Sequence, residues 1–326
     1  MLRLPRLAGA ATAALALGAL AAAPAASGEP IVSAPRIVAH FDLAAGQTPE
    51  NIALEPDGSA DLTFAFARQV AHVTRFGQVS VRATLPAEPH PNTPLIGSAI
   101  VSGIARAHDG TLYVAYATGT SRTGIWRIAP DGRAPRQIAQ LPPDGLPNGL
   151  ALDEHRGVLY AADSVRGVVW RVPQAGGHPT VWAGGPALAP LPPPAAGFGA
   201  NGIKVRHDAV WVTNTDRGTL LRIPVRADGS AGATATRARG LDGIDDFAFT
   251  GRDETVLAAL NTDSELVVVR PDGSHRVVLR REDGLSNPTS VAVRRHTVYV
   301  SSAAYFTLSD PNLLLARLST RQGRGL

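Results

Sequence analysis

Residues 146–172 read Leu-Pro-Asn-Gly-Leu-Ala-Leu-Asp-Glu-His-Arg-Gly-Val-Leu-Tyr-Ala-Ala-Asp-Ser-Val-Arg-Gly-Val-Val-Trp-Arg-Val. Leu150–Leu152 is a short apolar strand, and Glu154–Gly157 is a turn. Val158–Ala162 is a second strand, Gly167 marks another turn, and Val168–Val172 is a third; Thr180–Trp182 makes a fourth. β-branched and aromatic runs bounded by Gly and Asp are strand and hairpin signals. The opening of this unit recurs along the chain: Glu50-Asn-Ile-Ala-Leu, Ser102-Gly-Ile-Ala-Arg, Asn148-Gly-Leu-Ala-Leu, Asn201-Gly-Ile-Lys-Val, Asp245-Asp-Phe-Ala-Phe and Thr289-Ser-Val-Ala-Val. The leading residues stand 52, 46, 53, 44 and 44 positions apart. A period of about 40–50 residues built only of strands predicts a β-propeller, one blade per repeat. The reading is therefore all-β and six-bladed, over residues 30–320.

Asp-Gly pairs at 57–58, 109–110, 131–132, 228–229 and 272–273 supply the tight turns that hairpins require. The last repeat offers only three strands, at 291–293, 297–300 and 313–318. The run Arg36–Phe41 precedes blade one and is expected to supply the missing strand, closing the ring and removing two open edges. Pro186, Pro190 and Pro192–Pro194 exclude residues 184–199 from a central strand. That stretch enters blade four just before Asn201, either over the channel mouth or as an ordinary connection.

At the N-terminus, Arg3 and Arg6 precede an apolar run from Leu7 to about Ala23, followed by small residues. This predicts a secretory signal peptide over 1–26, and hence a secreted or cell-envelope protein with no stable membrane anchor after cleavage. The chain has no Cys, so thiolate ligands, Cys nucleophiles and disulfides are excluded. Net charge is +4 and the basic residues are scattered, with Lys204 the sole lysine. No basic stripe marks a nucleic-acid partner. The expected partner is a small-molecule substrate, and the expected state a monomer.

In a propeller the leading residues of all blades face one central channel. Glu50, Asn148, Asn201 and Asp245 bring two carboxylates and two amide oxygens to it. Such hard oxygen donors suit Ca²⁺ and not Zn²⁺, which prefers His and Cys. An Asn-Gly pair in isolation reads as a turn; the shared slot is what favours a site. The alternative is that these polar residues merely hydrate the channel. Gly197-Phe-Gly-Ala-Asn-Gly202 matches the dinucleotide fingerprint but opens a strand rather than a helix, so it is set aside. No Gly-x-Ser-x-Gly elbow occurs.

On Leu146–Leu152, Ala200–Ile203 and Pro49–Ile52, the chain resembles the senescence marker protein/gluconolactonase group of six-bladed propellers, with diisopropyl fluorophosphatase, the paraoxonases and strictosidine synthase as relatives. The resemblance spans about residues 36–318. It implies one catalytic Ca²⁺ held by Glu50, Asn148, Asn201 and Asp245, with Asp245 as the catalytic residue of a lactone or ester hydrolase. Asp246, Ser102 and Thr289 are expected to flank that set. Some relatives place a His near the channel, whereas here His108, His155, His207 and His296 share a turn slot and are expected to be solvated. A non-catalytic propeller that binds a ligand or partner through its loop face is the alternative.

Overall fold

The computed structural model describes residues 31–319, apart from 132, 195, 196 and 252. The expected signal peptide lies outside the described residues. The chain forms six four-stranded antiparallel sheets and, among the described residues, only one short helical turn, Arg281–Asp283. The innermost strands are Pro49–Leu54, Ile100–Arg106, Pro147–Asp153, Ala200–Val205, Ile244–Phe249 and Pro288–Arg294. Each packs beside the next, and the last packs beside the first, so the sheets form a closed ring.

Blade six takes its fourth strand from the N-terminal side. Val32–His40 pairs antiparallel with Asn312–Leu318, with Ile37 opposite Leu314 and His40 opposite Asn312. The strand starts four residues ahead of the stretch legible in the sequence. Pro35 and a left-handed Ala34 (φ 50°) interrupt it, and the register shifts between Ser33 and Arg36. That break hides the outer half of the strand from any alternation pattern.

The core lies between blades rather than within one. Val158, Tyr160 and Val169 of blade three pack on Ile203, Val210 and Leu221 of blade four. Leu257, Leu266 and Val268 of blade five meet Val298, Val300 and Leu314 of blade six. Inner and middle strands thus bury both faces, which is why they read as continuous apolar runs. Outer strands such as Val79–Thr84 are largely exposed.

A polar clasp crosses every junction near the channel. Thr63 Oγ1 donates to Ser102 O (2.6 Å), Ser102 Oγ to Pro147 O (2.8 Å) and Ser164 Oγ to Ala200 O (2.8 Å). Thr213 Oγ1 donates to Asp245 O (2.6 Å), Asn261 Nδ2 to Pro288 O (3.3 Å) and Thr289 Oγ1 to Pro49 O (2.7 Å). Each of these carbonyls lies within or beside a register shift of its inner strand, and the clasps give buried acceptors a partner.

Candidate metal centre

All six innermost strands shift register at the slot picked out by the repeat: between Pro49 and Asn51, Val101 and Ile104, Pro147 and Leu150, Ala200 and Ile203, Ile244 and Phe247, and Pro288 and Ser290. A bulge leaves a residue unpaired and re-aims its side chain. Repeated six times, it turns a row of strand residues toward the channel. The glycine after the slot has a separate task. Gly103, Gly149 and Gly202 are not left-handed, so they make no turn. A Cβ on them would lie 2.4 Å from Asn148 O, 2.3 Å from Asn201 O and 2.6 Å from Asp245 O. Glycine lets each inner strand approach the next closely enough for neighbouring slot residues to meet.

Asn148, Asn201 and Asp245 stand near the start of three adjoining innermost strands, those of blades three, four and five, and Glu50 stands at the same end of the blade-one strand, which adjoins blades two and six instead. Glu50, Asn148 and Asn201 are buried; Asp245 keeps part of its surface open. Asn201 Nδ2 is 2.9 Å from Asp245 Oδ1 and 2.9 Å from Thr215 Oγ1. Asn261 Nδ2 reaches Asp245 Oδ2 at 3.3 Å, and Asn148 Nδ2 reaches Ser164 Oγ at 3.3 Å. Tyr305 donates its hydroxyl to Glu50 Oε2 at 2.5 Å. Asn261, Thr215, Ser164 and Tyr305 are absent from the sequence reading. The first three follow the second strand of their blades and repeat weakly; Tyr305 sits in a loop unique to blade six.

Electrostatics distinguish this cluster. Burial pushes Glu50 from 4.5 up to about 7, opposed by the Tyr305 hydrogen bond and reinforced by the charge of Asp246. Asp245 is held well above its ordinary value by burial, then by the charges of Glu50 and Asp246. Burial and the Glu50 charge also raise Tyr305, which stays protonated and able to donate. Among the described residues no Arg, Lys or His pairs with Glu50 or Asp245; their partners are Tyr305, Asn201 and Asn261. One buried and one half-buried carboxylate without a counter-charge fit a site for a hard cation. With such a cation Asn148 and Asn201 would present their amide oxygens, which an end-for-end turn of each amide supplies.

The expected flanking residues divide. Asp246 accepts both contacts of Lys204 Nζ (2.7 Å each), with Ser290 Oγ at 2.7 Å and Asn51 Nδ2 at 3.4 Å. Its charge is therefore matched by the chain's only lysine. Ser102 and Thr289 are fully buried and clasp neighbouring carbonyls instead of facing the channel. His108, His155, His207 and His296 are exposed, in turns at the opposite end of the inner strands.

A second acidic group, Glu55, Asp61 and His72, lies close enough together for a shared ion. Its charge is already balanced. Arg82 Nη1 contacts Glu55 at 2.8 Å and Asp61 at 3.0 Å, Arg106 Nε contacts Glu55 at 2.7 Å, and His72 Nδ1 lies 3.1 Å from Asp61.

No protein-family model matches the chain, and no curated protein matches it in sequence. Solved structures do. Regucalcin from Agrobacterium tumefaciens, described as a calcium-binding protein, matches with a TM-score of 0.62 at 16% identity, over 87% of this chain and 93% of its own. A gluconolactonase from Xanthomonas campestris matches at 0.61 and 16%, over 90% and 98%. Virginiamycin B lyase from Staphylococcus aureus matches at 0.58 and 16%, over 84% and 82%. At such identities the likeness establishes the fold alone, a β-propeller, here with six blades.

Proposed function

We propose that this protein is a secreted, monomeric, Ca²⁺-dependent hydrolase of lactones or related esters. The observation that carries this reading is the pair Glu50 and Asp245, two carboxylates at one channel end with, among the described residues, no cationic side chain against either. Glu50, Asn148, Asn201 and Asp245 would hold the cation; when bound, it supplies Lewis-acid polarisation of a substrate carbonyl. The neighbouring structures named for calcium binding and gluconolactonase activity support this choice over other propeller functions.

Asp245 is the group assigned to proton transfer. Its carboxylate takes a proton from the attacking water as the water oxygen bonds to the carbonyl carbon. The ring or ester C–O bond then breaks, and the same proton passes to the departing alkoxide. Atoms balance with no further reagent. Asn261, whose Nδ2 lies 3.3 Å from Asp245 Oδ2, fixes the plane of the carboxylate. Tyr305 fixes the Glu50 carboxylate in the same way. Preset donors of this kind lower the cost of organising charge during reaction.

Metal analysis of the purified protein, with Ca²⁺ titration calorimetry and a panel of lactones and esters, tests the proposal. One Ca²⁺ per chain and turnover that chelator abolishes and Ca²⁺ restores are expected. Ca²⁺ binding with no turnover on a broad panel would instead establish a ligand-binding propeller.

A further inference from the structure

The propeller end that carries Glu50 also carries an apolar shelf. Pro49 pairs with Phe64 and Pro288 with Ser302, so Phe66 and the 303–311 loop emerge at the same end as Glu50. That loop is nine residues long. The equivalent connections at 65–68, 164–167, 215–218 and 261–264 have four residues, and the one at 118–123 has six. The extra length carries Tyr305, Phe306 and Leu308. Phe306 and Leu308 are 67% and 70% exposed, and Phe66 is 41% exposed.

Two features separate these residues from chance surface hydrophobics. The loop is pinned: Asn287 Oδ1, fully buried, accepts from Phe306 N (2.9 Å) and Thr307 N (2.8 Å), and Leu308 N donates to Ala304 O (2.9 Å). Ala304, Leu308 and Asp310 are held left-handed, at φ 58°, 50° and 56°. That conformation is uncommon for a side chain as bulky as leucine and persists only where the surroundings enforce it. The loop is also joined to the site. The hydroxyl of Tyr305 holds Glu50, while its ring stands edge-to-face with Phe66 at 5.9 Å between centroids. One residue thus connects the carboxylate to the apolar surface.

We infer that Phe66, Phe306 and Leu308 form a rigid shelf for an alkyl or aryl substituent of the substrate, so that the favoured lactone or ester is apolar rather than polyhydroxylated. The inference rests on the hydrolase reading for the identity of its ligand as substrate. A preformed shelf binds without the cost of ordering a flexible loop.

The test has two arms on the Ca²⁺-loaded full protein. In the first, kcat/KM is measured for γ-lactones with substituents from methyl to octyl, and for glucono-δ-lactone. About a twofold gain per methylene over the first several carbons is expected, as for half-buried CH₂ groups, with glucono-δ-lactone no better than the methyl compound. In the second, linear alkanoates of rising length and gluconate are titrated calorimetrically, and affinity should rise with length. Phe306→Ser/Leu308→Ser should flatten both trends while the Ca²⁺ midpoint and melting temperature hold. Turnover of glucono-δ-lactone with no chain-length trend in either arm overturns the shelf and leaves the hydrolase reading intact. A trend in binding with no turnover of any lactone removes the hydrolase reading and leaves the shelf as a ligand site. No trend in either arm, with the double variant losing affinity for phosphatidylcholine vesicles, would reassign these side chains to a lipid surface.

Discussion

Glu50 and Glu55 stand at opposite ends of the innermost strand of blade one, and both are buried. Burial pulls Glu55 upward too, yet its hydrogen bond with Asp61 and the charges of Arg82 and Arg106 leave it below its ordinary value. Asp61, more deeply buried, is raised to about 6, with Arg82 offsetting part of the rise. Glu50 bonds Tyr305 and, among the described residues, no cationic side chain. The same residue type is thus neutralised just beyond one end of the strand and left unneutralised at the other. Closed charge networks hold structure together; an open one stores affinity for something positive.

The sharpest way to break this comparison is to remove one acid from each end. Asp245→Asn keeps the shape of the side chain and removes its charge and its basicity. It should lower kcat/KM by at least ~100-fold, the scale of a lost general base, and weaken Ca²⁺ binding. Asp61→Asn should leave kcat/KM within a few-fold while lowering the melting temperature. Steady-state kinetics beside thermal melts decide it, and reversed outcomes would exchange the roles of the two ends.

Removing a cation sharpens the other half. Arg106→Met leaves the buried Glu55 with only Arg82, and a buried acid that loses a partner is destabilising. About 1.5–3 kcal/mol of unfolding free energy should be lost, the scale of one contact to a charged group, read from urea titration, with Ca²⁺ affinity unchanged. An equal loss of Ca²⁺ affinity would show that the two ends are coupled through the strand.

Both ends differ in legibility for one physical reason. Glu50, Asn148, Asn201 and Asp245 could be located because a repeat fixes their slot, and the bulge that aims them is part of the repeat. Blade number followed from the same period. Tyr305 could not be located, because its loop occurs once and only the tertiary fold brings it 255 positions back to Glu50. The fate of Asp246 was equally hidden: the pattern places it beside Asp245, but Lys204 of the neighbouring blade decides that its charge is matched. Ser102 and Thr289 occupy the slot yet serve the seam, a distinction that depends on which carbonyl lies opposite.

Protons test the open end more gently. Without a cation, Glu50 has a folded-state value of about 7 against an ordinary 4.5. A carboxyl raised in this way contributes stability that is full below about 4.5 and is lost as pH rises through about 7. Cation binding needs the ionised form, so its stabilisation grows over the same interval. At 100 times the Kd, Ca²⁺ should add about 2.7 kcal/mol at pH 8 and progressively less as pH falls through 7. Melting curves in chelator and in Ca²⁺ should therefore diverge with rising pH. Parallel curves across pH 5–8 would mean that Glu50 is not at the binding site.

The smallest expected effect belongs to the end opposite the candidate site. His155 is exposed in the turn joining the first two strands of blade three, at the far end from Asn148. Among the described residues no hydrogen bond or ion pair involves its side chain, although its neighbours are engaged. Glu154 accepts from His108 Nδ1 at 2.6 Å, and Arg156 bridges Asp153 and Asp208 at 2.9 and 2.6 Å. Surface substitutions without such contacts stay within about 0.5 kcal/mol. His155→Ala should therefore change neither stability beyond that margin nor kcat/KM nor Ca²⁺ affinity. Imidazoles are common proton carriers near neutral pH, so an inert result removes this one from the candidates and is consistent with the proposed role of Asp245. A His155→Ala variant that folds, binds Ca²⁺ normally and turns over nothing would place the working chemistry among the exposed turns and remove the distinction between the two ends.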